Sequence, residues 1–137
     1  MCKMLLSINP VHVDNILNGT KQFEYRKVQC RSNVDKIIIY STYPIMKVVG
    51  EADVFEILVD EPNNIWEQTS SLSGITKEFY DLYFSQKSKA VAYRLGNVKT
   101  YRKPLDLSDI GIRTAPQSFA YINNWVIKIY ALYQLKN

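Results

Sequence analysis

The run Ile37-Ile38-Ile39-Tyr40 constrains this 137-residue chain more than any other feature. Four apolar residues in succession, three of them β-branched, have no polar alternation to turn toward water. Such a run is a strand covered on both faces, so the chain must supply packing on two sides of a sheet. Ser41-Thr42-Tyr43-Pro44 stops the run. Residues 46–59 then read as a long strand with Val48, Gly50, Ala52, Val54 and Leu58 on one face, interrupted only by Glu56. Glu51 and Asp53 fall on the opposite parity and, with no metal-ligand partner in view, read as an exposed strand face.

The rest of the chain is organised around these strands. Residues 4–8 form a short apolar strand. Asn9 is placed to cap a helix that begins at Pro10, carries Val13, Ile16 and Leu17 as its apolar stripe, and ends at Asn18-Gly19. Residues 22–27 alternate as a strand, with Phe23 and Tyr25 on one side and Glu24 and Arg26 on the other. Residues 28–33 read as a loop. Two short helices are predicted over 63–71, with Ile65 and Trp66, and over 76–85, with Phe79, Leu82 and Tyr83 as the apolar side; Gly74 separates them. Residues 90–95 and 98–103 read as the arms of a hairpin turning at Gly96-Asn97, closed by Pro104. A single helical turn over 105–110 and an extended piece over 115–119 follow. Residues 125–135 are apolar on nearly every side, so this tail packs on the domain or on a partner. Strands outnumber helices and do not alternate with them, an α+β or small-barrel pattern rather than a doubly wound sheet. The expected organisation is one domain over residues 1–122 and a packed tail over 123–137.

Composition narrows the chemistry. One His and two Cys argue against a zinc site built from those residues and against an imidazole-centred triad. No metal and no cofactor is expected. No stretch approaches the roughly 18 apolar residues of a membrane span, and the N-terminus lacks the pattern of a secretory signal. Cys2 and Cys30 therefore read as thiols of a cytoplasmic protein. The net charge of +4 is unevenly spread. Residues 1–68 hold seven basic and nine acidic side chains; residues 69–137 hold ten and four. Lys87, Lys89, Arg94, Lys99, Arg102 and Lys103 form a strip with no acid among them and with Tyr93 and Tyr101 interleaved. That composition suits phosphate contact and base stacking; its plain alternative is the solvated face of ordinary strands.

The densest polar cluster runs from Gly19 to Lys27. A turn carrying Lys21 feeds a strand that projects Glu24 and Arg26 to one face. Two cations beside a carboxylate can hold a phosphate or a polar base edge, and the carboxylate can accept from an amine or act as a base. The plain alternative is an exposed strand face with a weak ion pair. His12 reads as a surface residue of the first helix, and Trp66 and Trp125 as packing residues.

Leu6-Ser7-Ile8-Asn9-Pro10, Ile16-Leu17-Asn18-Gly19-Thr20-Lys21 and Phe23-Glu24-Tyr25-Arg26-Lys27, in that order, resemble the opening of the ASCH domain family. The resemblance continues through residues 37–44, Val48-Val49-Gly50-Glu51-Ala52, residues 94–98 with Pro104-Leu105, and Ala115-Pro116-Gln117-Ser118-Phe119, and so covers roughly residues 4–122. It implies a PUA-like fold, a small β-barrel with flanking helices, and RNA binding in a cleft lined by Lys21, Glu24 and Arg26. Ser41 and Thr42 would face that cleft from a strand end, and Gln117 and Ser118 from the closing segment. Relatives of the fold that deacylate a modified cytidine use a Thr where this chain has Glu24, and a carboxylate cannot replace that hydroxyl in acyl transfer without a change of mechanism.

Three readings follow. The first is an RNA- or nucleotide-binding domain, a small regulator of RNA metabolism or transcription, with the 87–103 strip tracking the backbone. The second is an enzyme acting on modified nucleosides or RNA phosphodiesters through Lys21 and Glu24. The third is an interaction module that uses the tail to form a homodimer or bind a partner.

Overall fold

The computed structural model describes residues 2–30 and 33–122. The tail over 123–137, with its expected packing and dimer contact, lies outside the described residues, as does Trp125.

Six strands form one sheet: β1 (Cys2–Ile8), β2 (Phe23–Arg26), β3 (Val34–Ser41), β4 (Lys47–Asp60), β5 (Ala90–Leu105) and β6 (Phe119–Ile122). Their order across the sheet is β2-β5-β4-β3-β1-β6. Only β1 and β3 run parallel, and α1 (Pro10–Leu17) lies in the chain between β1 and β2. The other neighbours are antiparallel. Helices α2 (Pro62–Thr69) and α3 (Lys77–Tyr83) fill the connection from β4 to β5.

The Ile37–Tyr40 run does what its composition requires. Ile37 and Ile39 enter one core with Met4, Leu6, Ile8 and the Val13 and Ile16 face of α1. Ile38 and Tyr40 enter a second core with Leu5, Val48, Tyr101, Leu105 and Ile110. A third cluster joins Phe23 and Tyr25 of β2 to Ile65, Tyr80 and Phe84 of the helices. Trp66 packs against Tyr80, ring centroids 4.7 Å apart, as a packing residue should. Asn9 caps α1 through its side-chain oxygen, which accepts from the Val11 N–H at 3.0 Å, and Gly19 takes the left-handed conformation after the helix, φ +88.

Three expectations are corrected. The 87–103 hairpin does not form: β5 runs unbroken from Ala90 to Leu105, through Gly96-Asn97 and Pro104, paired along β4. Asn97 is left-handed, φ 47, and its side chain donates to Asp53, so the apparent turn is an irregularity in a long ladder. On α3 the buried residue is Tyr80, with Phe84 buried just after the helix, while Phe79 and Leu82 are exposed. Glu51 is not on a solvated face: it is buried, ion-paired to Lys36 at 2.5 Å and accepting from the Tyr101 hydroxyl at 3.0 Å. Glu51 keeps its place on the side of Asp53, since Lys36 reaches both, but that face is covered by Tyr101 and the second core. Among the described residues β2 and β6 are the edges of the sheet, and strand pairing does not join them. The edges nevertheless approach: Arg26 of β2 donates to the Ser7 carbonyl of β1 at 2.9 Å and to Ser118 Oγ, one residue before β6, at 3.2 Å.

No helix among the described residues is long and apolar enough to cross a membrane.

Candidate functional site

The approach of the two edges leaves a pocket of about 190 Å³ between the end of β1, the first turn of α1, β2 and α3. Lys21 enters it from the turn that follows α1. The turn is held by backbone bonds: Lys21 N–H donates to the Asn15 carbonyl at 2.9 Å, and Gln22 N–H to the Leu72 carbonyl at 2.8 Å. The ammonium itself is almost fully enclosed, with 2% of the residue exposed. It donates to the Ser73 carbonyl at 3.1 Å, stands 4.8 Å from the Tyr25 ring centre and lies 3.8 Å from Glu24 Oε1.

Glu24 is buried and faces both cations. Arg26 grips its Oε2 from Nε at 3.1 Å and from Nη2 at 2.9 Å. The guanidinium's remaining donors reach Ser7 and Ser118, so one side chain fixes the carboxylate and both sheet edges. Ser7 Oγ donates to the Pro116 carbonyl at 2.7 Å, which seats the closing segment against the site.

The opposite wall is apolar and aromatic. Ile75, Phe79 and Tyr83 of the α3 region line the pocket together with His12. Phe79 and Tyr83 are four apart on the helix, with rings nearly parallel at 8°. Lys27 Nζ sits 4.6 Å from the Tyr83 ring centre. The exposure of Phe79, which core packing leaves unexplained, places an aromatic face at the rim.

Burial dominates the electrostatics. It holds the Lys21 ammonium below its usual range; the nearby Glu24 carboxylate opposes this and Arg26 adds to it. Burial pushes the Tyr25 phenol up to about 12, although its hydroxyl donates to Thr69 Oγ1 at 2.7 Å. Tyr83 is raised for the same reason. Burial and the charge on Lys21 both lower His12. The site is a desolvated pocket with two cations locked around one anion, and it carries a net positive charge.

The structure brings Lys21, Glu24, Arg26 and Ser118 together. Ser41 and Thr42 are placed behind the wall: Ser41 is buried in the β1–β3–β4 register, and Thr42 N–H donates to the Ile8 carbonyl at 3.0 Å. Gln117 is exposed and does not line the pocket. Lys87, Lys89, Arg94, Lys99, Arg102 and Lys103 are all exposed, along or just before β5, and none lines the pocket. Sequence reasoning passed over His12, Phe79 and Tyr83. One signal was available: His12 precedes the buried Ile16 by four and so shares its side of α1. Among the described residues no group of three or more His, Cys, Asp or Glu side chains converges as a metal site would.

The chain is thus a small α+β domain built on one six-strand sheet, with this pocket where its two edges approach. The chain belongs to the family described as "Domain of unknown function (DUF365)", an ASCH-type family that matches residues 11–115. It is 32% identical over 121 residues to ATP synthase subunit alpha of Ureaplasma parvum, a match that takes in 87% of this chain and 15% of that protein. It is 26% identical over 107 residues to an ASCH domain-containing ribonuclease of Zymomonas mobilis, 77% of this chain and 72% of the other. The crystal structure of ASCH from Zymomonas mobilis superimposes with a TM-score of 0.86 at 23% identity, covering 95% of this chain and 94% of that one, which establishes the shared fold. The chain spans between 15% and 39% of the length of the first curated relatives it matches.

Proposed function

We propose that this domain binds RNA, drawing a phosphate or an unpaired base into the Lys21–Glu24–Arg26 pocket while exposed basic side chains of β5 hold the strand outside. The observation that carries this reading is the enclosed Lys21 beside an Arg26-gripped carboxylate, facing an aromatic wall. Nucleic acid offers the complementary groups: anionic oxygens for the cations, base edges for the polar groups and flat rings for Phe79 and Tyr83. Membership of an ASCH-type family, together with the relative named as a ribonuclease, supports an RNA ligand. The reading includes a regulator of RNA metabolism or transcription in the cytoplasm, a role that binding alone can fill. It also includes the PUA-like barrel, with Arg26 drawing the two sheet edges together where strand pairing does not.

Fluorescence anisotropy with short single-stranded RNA tests this. Binding should weaken steeply as salt rises, because counterions are released from the phosphates. Lys99→Ala with Arg102→Ala should reduce the salt slope, and Arg26→Gln should weaken binding at every salt concentration. No binding at low salt contradicts the reading.

A second reading, cleavage of the RNA, is favoured by the name of the Zymomonas mobilis relative. In that case Glu24 takes the 2′-hydroxyl proton and the 2′-oxygen attacks the adjacent phosphorus. The bond to the 5′-oxygen breaks, and that oxygen takes a proton from water. Lys21 and Arg26 would offset the charge that builds on phosphorus-bound oxygen. Mass spectrometry of the products should then show 2′,3′-cyclic phosphate ends that Glu24→Gln abolishes. Intact RNA after prolonged incubation leaves binding as the function.

A further inference from the structure

His12 is the only histidine of the chain and the one pocket-lining residue with an imbalance in its hydrogen bonding. Its Nδ1 is buried and has no partner. Its ring meets Phe79 edge-to-face, centroids 5.1 Å apart at 65°, which fixes the plane of the imidazole against the aromatic wall. Nε2 is the other polar atom of this pocket-lining ring.

Orphaned buried N–H groups are rarer than under-satisfied buried acceptors, so the proton belongs on Nε2. The charged groups facing the ring are Lys21, Arg26 and Glu24; the two cations outnumber the carboxylate, and Arg26 already grips that carboxylate. A proton added at Nδ1 would create an unpartnered buried donor beside two positive charges. Burial and the Lys21 charge accordingly hold His12 below its ordinary 6.5.

We propose that His12 is a specificity-determining residue of this pocket: an uncharged imidazole in the Nε2–H form that donates a hydrogen bond to an acceptor oxygen of bound RNA. The inference rests on the RNA reading and deepens it. Lys21 and Arg26 have most of their donors committed to Ser73, Glu24, Ser7 and Ser118. His12 supplies a donor directed by a rigid ring and free of charge, one that selects for an acceptor's position rather than for negative charge.

Because there is one histidine, long-range proton–nitrogen NMR of the ligand-free protein reads its state without ambiguity. The expected spectrum at pH 7 is the Nε2–H tautomer. An Nδ1–H pattern, or an imidazolium, overturns the inference whatever the protein binds. The second arm measures the affinity of a fluorescent oligouridylate, which has no titrating group between pH 5.5 and 8. His12→Phe, which keeps a ring against Phe79, should weaken binding about five- to tenfold, the worth of one directed hydrogen bond. His12→Gln, whose side-chain amide nitrogen replaces Nε2, should recover part of that loss. Wild-type affinity retained by His12→Phe overturns the inference and leaves the RNA reading intact. Absence of oligouridylate binding by the wild type overturns the RNA reading, and with it the ligand contact assigned here.

Discussion

Glu24 is the hinge of the site's electrostatics, because it alone offsets two enclosed cations. Glu24→Ala leaves Lys21 and Arg26 facing each other out of water, and should cost about 3 kcal/mol in urea unfolding. Glu24→Gln, which keeps part of the hydrogen bonding, should cost less. His12 gives a second residue-scale expectation. Its folded-state pKa is lowered, so the stability it contributes is complete above 6.5 and is lost as pH falls through the folded value. His12→Phe should therefore flatten the acid limb of a stability-against-pH curve below 6.5, and an unchanged limb would contradict the assignment. The Lys-x-x-Glu-x-Arg spacing was legible from the alternation of β2. The enclosure of Lys21 was not: its cover comes from Ser73 and α3, some fifty residues further along the chain, and no local pattern announces that contact.

Among the elements, the short connection between α2 and α3 does more for the site than its length implies. It accepts from Lys21 Nζ at Ser73 and from Gln22 N–H at Leu72. Gly74 lies directly against Lys21: a Cβ there would come within 2.8 Å of the Lys21 Cα, and the residue is left-handed, φ +67. Gly74→Ala should cost more than the roughly 1–2 kcal/mol of left-handed strain alone and should impair RNA binding by displacing Lys21. Gly111 supplies the control. It is also left-handed, φ +77, but has open space around it, so Gly111→Ala should cost the strain and leave binding unaltered. Equal effects on binding would contradict this view of the connection. At the same scale, β5 runs through a local turn signal. Gly96-Asn97 between two apolar runs is a sound hairpin signal when read locally. The 14-residue β4 outweighs it by offering partners to both halves, Asp60 opposite Ala90 at one end and Val48 opposite Leu105 at the other. Pairing with a distant strand overrides a turn preference worth little by itself. The double-sided core of β3, in contrast, was legible, because a short β-branched run bounded by turn residues favours a strand covered on both faces.

For the whole molecule, Arg26 ties the first edge strand of the sheet to Ser7 of β1 and to Ser118, next to the last edge strand. Arg26→Lys keeps the charge but loses the planar fork. It should lower stability by about 1–2 kcal/mol and reduce amide-exchange protection in β2 and β6 before it does so in β3. Uniform protection loss would place the tie elsewhere. The fold and the pocket are thus one device, since the ion network that draws the edges together is also the site's chemistry. The most direct measurement is backbone-amide NMR of the labelled protein titrated with a short single-stranded RNA. The largest shifts should fall on Ser7, Asn9, His12, Lys21, Glu24, Arg26, Phe79 and Tyr83, with smaller shifts along β5. Shifts confined to β5, or absent throughout, would contradict the pocket as the place where RNA is held.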